Sequence, residues 1–194
     1  MIETIEKTET VSSEAKAENR FIKYLENLSR RQDRAALANL RRGLGKKPGA
    51  AMEMYPYLGQ FLPAERNARY DNAVFIVAAL FAYYSDAPKT AGNLGASLRR
   101  LAGETDSKSI EMRFVALLNA ETDELPNYLR QIIGLLKSKD VAVNWEQLFD
   151  DVRQWNSDNR YAQTRWARSF WGNFNDKTEE NNQEKQNISG GEKL

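Results

Sequence analysis

One stretch constrains the fold more than any other: residues 74–84, VFIVAALFAYY, are apolar on nearly all sides and carry no charge. A helix with a wet face shows apolar residues only at every third or fourth position, so an unbroken run suits a central helix covered by its neighbours. Around this run the apolar residues do recur at threes and fours. Phe21, Tyr24, Leu25 and Leu28 form a stripe on a first helix from about Glu14, and Ala36, Leu37, Leu40 and Leu44 line a second. Later stripes are Ile110, Phe114, Leu117 and Leu118, then Leu129, Ile132, Ile133 and Leu136. Trp145, Leu148, Phe149, Val152 and Trp155 follow, and Tyr161, Trp166, Phe170 and Trp171 make the last. No alternating segment bounded by hairpin turns interrupts them, and the predicted class is all-α.

Punctuation along the chain gives the expected organisation. Ser29 with Gln32 fits a capping box that opens the second helix. Met54–Leu62 reads as a short helix interrupted at Pro56, and Ala68–Tyr84 as the central helix. Gly103–Ser107 is the best internal boundary, which predicts two small helical bundles in tandem over 14–103 and 104–174. Residues 1–13 and 175–194 are polar and poor in groups that could offset the entropy of ordering, so both are expected to be disordered tails.

Composition excludes most chemistry. The chain has no cysteine and no histidine, which removes disulfides, thiol nucleophiles, the commonest zinc ligand and the usual neutral-pH general base. No run approaches the roughly 18 apolar residues of a membrane span, and the acidic start MIETIEKTET lacks the apolar core of a secretory signal. The expected location is the cytoplasm. GLGKKPG fails the P-loop pattern in its glycine spacing and in the absence of a Ser or Thr after lysine, and reads as a helix C-cap followed by a basic loop. The carboxylate pairs Asp123–Glu124 and Asp150–Asp151 diverge by about 100° on a helix and do not converge on one ion. They read as solvated or helix-start residues. No acid, base and nucleophile set emerges, so neither an enzyme nor a metal or cofactor site is expected.

Charge is placed unevenly. Residues 29–49 carry seven basic side chains against one acid, while the rest of the chain is net acidic. Arg30, Arg31, Arg34, Arg41, Arg42, Lys46 and Lys47 have only Asp33 nearby in sequence to neutralise them. Arginine presents a planar fork to two phosphate oxygens, so this stretch is a candidate phosphate-binding surface. A second basic stretch runs from Arg160 to Arg168. Arg113 lies within about 60° of the centre of its helix's apolar stripe, which predicts either a buried ion pair or an arginine held by packing and aimed into a groove. The four tryptophans fall on apolar stripes and read mostly as core.

Several segments in one order then carry a likeness: LRRGLGKKPG, MYPYLGQFLP, NLGASLRRLAG, SIEMRFVALLNAETDELPNYLRQIIGLLKS, VNWEQLFDDVRQW and QTRWARSFW. Together they resemble CasB, the small-subunit family of the type I-E CRISPR surveillance complex called Cascade, over roughly Phe21–Phe174. The resemblance implies an all-helical, non-catalytic protein present as two copies in that complex. It implies guide RNA, target DNA and the other Cascade subunits as partners, with the displaced DNA strand secured by basic surface residues. Arg41 and Arg42 match the family's paired arginines, Arg99 or Arg100 its basic positions after the LG motif, Arg113 the SxExRF arginine and Arg130 the LPxxLR arginine. Arg165 and Arg168 belong to the WAR segment. Ala96 and Thr164 stand where the resemblance implies basic residues. The alternatives left by the residues alone are a helical adaptor whose basic face meets an acidic protein and a helix-turn-helix regulator reading DNA with Arg30–Arg42.

Overall fold

The computed structural model describes residues 20–104 and 107–172. The expected tails at 1–13 and 175–194, and the start of the first helix at Glu14, lie outside the described residues. Within them the secondary structure is helical with no strand: α1 over 20–30, α2 Arg34–Arg41, α3 Tyr55–Leu58, α4 Ala68–Tyr83, α5 Leu94–Glu104, α6 Ser107–Leu118, α7 Leu125–Ser138, α8 Trp145–Arg153 and α9 Tyr161–Trp171. Short 3₁₀ turns, Met52–Met54 and Gly59–Phe61, flank α3.

The break between α1 and α2 lies later than the capping box predicts. Gln32 adopts a left-handed φ of 54°, its N–H donates to Ser29 O at 2.9 Å, and Asp33 N–H donates to Leu28 O at 3.0 Å. That pair of bonds is the Schellman closure of a helix C-terminus. Asp33 then caps α2, its side chain accepting from Ala36 N–H at 2.9 Å. Ser29 instead sits inside α1 and donates its hydroxyl to Ser85 O at 2.9 Å. Pro56 opens α3 rather than interrupting it, because an N-terminal position needs no N–H.

The apolar run does what its composition requires. Every residue from Ala73 to Ala82 on α4 is buried, each large aliphatic or aromatic side chain contributing roughly 1.5–3 kcal/mol. Phe149 of α8 stands 5.1 Å from Phe21 of α1 and 5.5 Å from Tyr70 of α4, ring centre to ring centre, so three helices meet at one ring. α5 packs on α6 and α9, and α6 on α7. Buried apolar side chains from before and after the 103–107 boundary belong to one continuous core running from Phe21 to Trp166.

One carboxylate enters α4 at a cost. Asp71 Oδ1 has no hydrogen-bond partner among the described residues, and burial, opposed by Arg66, raises its pKa above the ordinary value. An acid whose folded pKa is raised favours the protonated fold, so stability is greatest in acid and is lost as pH rises through that pKa. Asp71→Asn is therefore expected to raise the melting temperature at pH 7 by up to about 2 °C, with the gain fading on acidification. Thermal melts at pH 4 and pH 7 check it; an equal shift at both would remove the electrostatic reading.

Candidate nucleic-acid interface

The candidate basic residues are exposed with one exception. Arg30, Arg31, Arg34, Arg41, Arg42, Lys46, Lys47, Arg99, Arg100, Arg113, Arg130 and Arg168 all present their side chains to solvent, and Arg165 is half-buried. Folding lays the basic loop after α2 against α7. Gly45, at a φ of 71°, lies so close to α7 that a Cβ there would stand 3.0 Å from Asn127 Oδ1 and 3.3 Å from Arg130 Cδ. Lys47 Nζ reaches Asp123 at 3.8 Å, just before the same helix. The loop after α2 thus rests on the first turns of α7, with Gly45 against Asn127 and Arg130 and Lys47 against Asp123.

Some of these cations hold partners, but loosely. Arg42 pairs with Glu53 at 2.7 Å, both side chains being well exposed. The Glu53 carboxyl sits below its ordinary pKa, through a hydrogen bond to its own backbone first and Arg42 second. An ion pair in water is readily exchanged, so a phosphate can replace either carboxylate without a buried charge being stranded. Arg41 donates Nε to Leu37 O at 3.3 Å, which leaves the outer edge of its fork open.

Elsewhere the arginines are placed singly. Arg99 donates to Gly172 O at 2.7 Å, tying α5 to the end of α9, and Arg100 donates to Thr90 Oγ1 at 2.9 Å. Arg113 is exposed, so the expected buried ion pair is absent. It lines a shallow cavity of about 220 Å³ with Leu101, Ile110, Leu135 and Lys139. Its angular position explains this: at the edge of the stripe a long side chain covers apolar surface with its stem and carries its head into water.

Arg165, half-buried, reaches inward. It forms an ion pair with Asp151, which is 1% exposed, and Asp151 also accepts from Trp166 Nε1 at 2.6 Å. Burial pushes the Arg165 pKa down, with Asp150 opposing. Asp151 is thus neither solvated nor a helix-start residue, a correction to the reading of the Asp150–Asp151 pair. Asp150, partly buried, lies 3.8 Å from Arg153.

Sequence reasoning also passes over a basic groove of about 730 Å³ lined by Arg20, Arg66 and Arg69 together with Gln60, Phe61 and Asn67. Arg66 just before α4 and Arg69 in its first turn are the available signal. Among the described residues no group of three or more acidic side chains is arranged to hold a metal ion, and no helix is long and apolar enough to cross a membrane.

With this geometry established, likeness to known proteins is specific. The model of the family described as CRISPR-associated protein Cse2 matches residues 36–171. A CRISPR-associated protein Cse2 from Thermus thermophilus is 34% identical over 160 residues, spanning 79% of this chain and 89% of that relative. The crystal structure of a Cse2-family protein from Thermus thermophilus matches with a TM-score of 0.71 at 33% identity, over 80% of this chain and 97% of its own. A chain from a CRISPR RNA-guided surveillance complex, 23% identical, shares the fold at a TM-score of 0.69 over 80% of this chain and 92% of its own.

Proposed function

This chain belongs to the Cse2 family of CRISPR-associated proteins, and from that premise we propose that it is a structural, nucleic-acid-holding subunit of a Cascade surveillance complex. In this reading it steadies the guide RNA, the target strand and the displaced DNA strand through exposed cations. It works beside the other Cascade subunits and a second copy of itself, and it carries out no catalysis.

The observation that supports the proposal is the seating of the exposed basic loop after α2 on α7, where Gly45, between Arg42 and Lys46 in sequence, lies against Arg130. Base pairing supplies sequence recognition in a guide-directed complex, so the protein needs backbone contacts and no base-reading side chains. Exchange of a DNA duplex for an RNA–DNA hybrid is nearly balanced in energy, and a few phosphate contacts tip it. Overall the chain carries only +1 net charge. Affinity of the free protein for polynucleotide is therefore low, and the patch acts once neighbouring subunits concentrate it on the strand.

Replacing Arg42, Lys46 and Arg130 by alanine is expected to weaken target binding by the assembled complex and to flatten its salt dependence. Each lost phosphate contact removes about 0.7–0.9 from the slope of log affinity against log salt. Titration of target DNA at several salt concentrations measures both, and an affinity and slope equal to those of the parent complex would sink the proposal.

A further inference from the structure

We infer that the outer face of α9 is a base-stacking platform for single-stranded nucleic acid, built from Tyr161 and Trp171 with Arg168 and Arg99 beside them. This rests on the nucleic-acid-holding role proposed above and adds a different kind of contact at a different place.

The starting point is an exception. Trp145, Trp155 and Trp166 are buried, whereas Trp171 is 44% exposed and Tyr161 is 48% exposed. At 100° per residue, positions 161, 164, 168 and 171 share about 80° of arc, and at 1.5 Å per residue they span about 15 Å. Thr164 and Arg168, between the rings, are exposed as well. One helix therefore presents an aromatic, a hydroxyl, a guanidinium and a second aromatic in a line.

Neither ring is an idle surface aromatic. Trp171 donates its indole N–H to Glu111 Oε1 at 3.0 Å, and its ring is backed by Phe114 at 5.2 Å and Phe170 at 4.9 Å. Tyr161 is backed by the Arg165 guanidinium, 5.1 Å from the ring centre, and Arg165 is itself fixed by buried Asp151. Both rings are held from behind with outer surface left open, so little entropy remains to be lost when something stacks on them.

Charge at the site fits a polyanion. Arg168 has no ion-pair partner among the described residues, and Arg99 reaches the Trp171 end by its bond to Gly172 O, with no carboxylate of its own there. Of the nearby acids, Glu111 is engaged by the indole, and Asp158 lies at the surface before Tyr161. Aromatic rings with interleaved arginine are the combination that binds unpaired strands, because each base offers a π-face and each phosphate a charge. A duplex hides its base faces and cannot use the rings.

The test compares two fluorescently labelled 20-mers, oligothymidylate and a wholly abasic strand of equal length, binding to the full chain at low salt. Oligothymidylate is expected to bind more tightly than the abasic strand. Trp171→Leu and Tyr161→Leu should each weaken oligothymidylate by about fivefold or more, the lower end of what one stacked base contributes, and should leave the abasic strand unchanged. Tyr161→Phe keeps a ring and should keep the affinity. Unchanged melting temperatures in the leucine variants exclude a folding effect. If Trp171→Leu melts early, Trp171→Phe takes its place: oligothymidylate should quench tryptophan fluorescence in the parent and lose that quenching in the variant, and absent quenching in the parent would count against stacking. Equal binding of both strands by the parent would overturn the inference and leave phosphate clamping at the α2–α7 patch standing. No binding of either strand would overturn it too, while the salt titration of the assembled complex judges the wider proposal separately.

Discussion

Asp151→Ala is expected to destabilise the protein by about 2–4 kcal/mol, the cost of leaving a buried indole N–H unsatisfied and taking the counter-charge from a half-buried guanidinium. Two groups lose their acceptor at once. The Trp166 indole N–H, in a fully buried ring, has no other bond to make, and the half-buried Arg165 guanidinium loses its counter-charge. For a chain of this length each kcal/mol moves the melting temperature by roughly 2–4 °C, so thermal denaturation should fall by on the order of 10 °C. Asp151→Asn retains an acceptor for Trp166 without the charge and should lose less. Adding Arg165→Met to Asp151→Ala removes the stranded cation and should restore part of the loss. A single Asp151→Ala variant melting within about 2 °C of the parent would show that the grip is not what fixes α9.

That grip marks where sequence reading stops. Helical class and the stripes of α7 and α8 follow from spacing, because a helix converts a period of three and four into one wet and one dry face, and the burial of 74–82 follows from the absence of any polar face. Asp151 does not follow. In sequence it is one of two adjacent acids, and only packing decides that Asp151 takes Arg165 and Trp166 while Asp150 lies beside Arg153. The stripe on α9 misleads for the same reason: Tyr161, Trp166, Phe170 and Trp171 are all apolar enough to be core. The buried residues are Ala162, Gln163 and Trp166, since α9 approaches α5 on that side. Gln163 is buried with its amide N–H donating to Trp155 O at 2.9 Å, a partner no periodicity reveals. The seven cations of 29–49 are legible as a group, but the contact of their loop with Arg130, far along the chain, is not. Ser29 loses its expected capping role to Asp33 because both residue types cap helices well and the left-handed Gln32 moves the boundary by four residues.

The same α5–α9 approach yields the second large effect. A Cβ on Gly95 would lie 2.1 Å from Trp166 O and 2.8 Å from Trp166 C, so Gly95→Ala presses a methyl group into backbone that has no rotamer through which to yield. The helices must part, at a cost of about 1–3 kcal/mol or more. Parting them loosens what depends on the contact: the bond from Arg99 to Gly172 O, the bond from Asn93 Nδ2 to Ser169 Oγ at 2.9 Å, and the seating of Trp171 beside Phe114. Gly103, near the end of α5, has nothing within 4 Å of its would-be Cβ. Gly103→Ala is therefore expected to be neutral or to stabilise by up to about 1 kcal/mol, as alanine does in a helix that tolerates it. Chemical denaturation of both variants provides an internal control, since the substitution is identical and only the neighbour differs. If Gly95→Ala were as stable as Gly103→Ala, close helix contact would not be the reason a glycine stands in the LG motif, and the position of α9 with its exposed aromatic face would need another anchor.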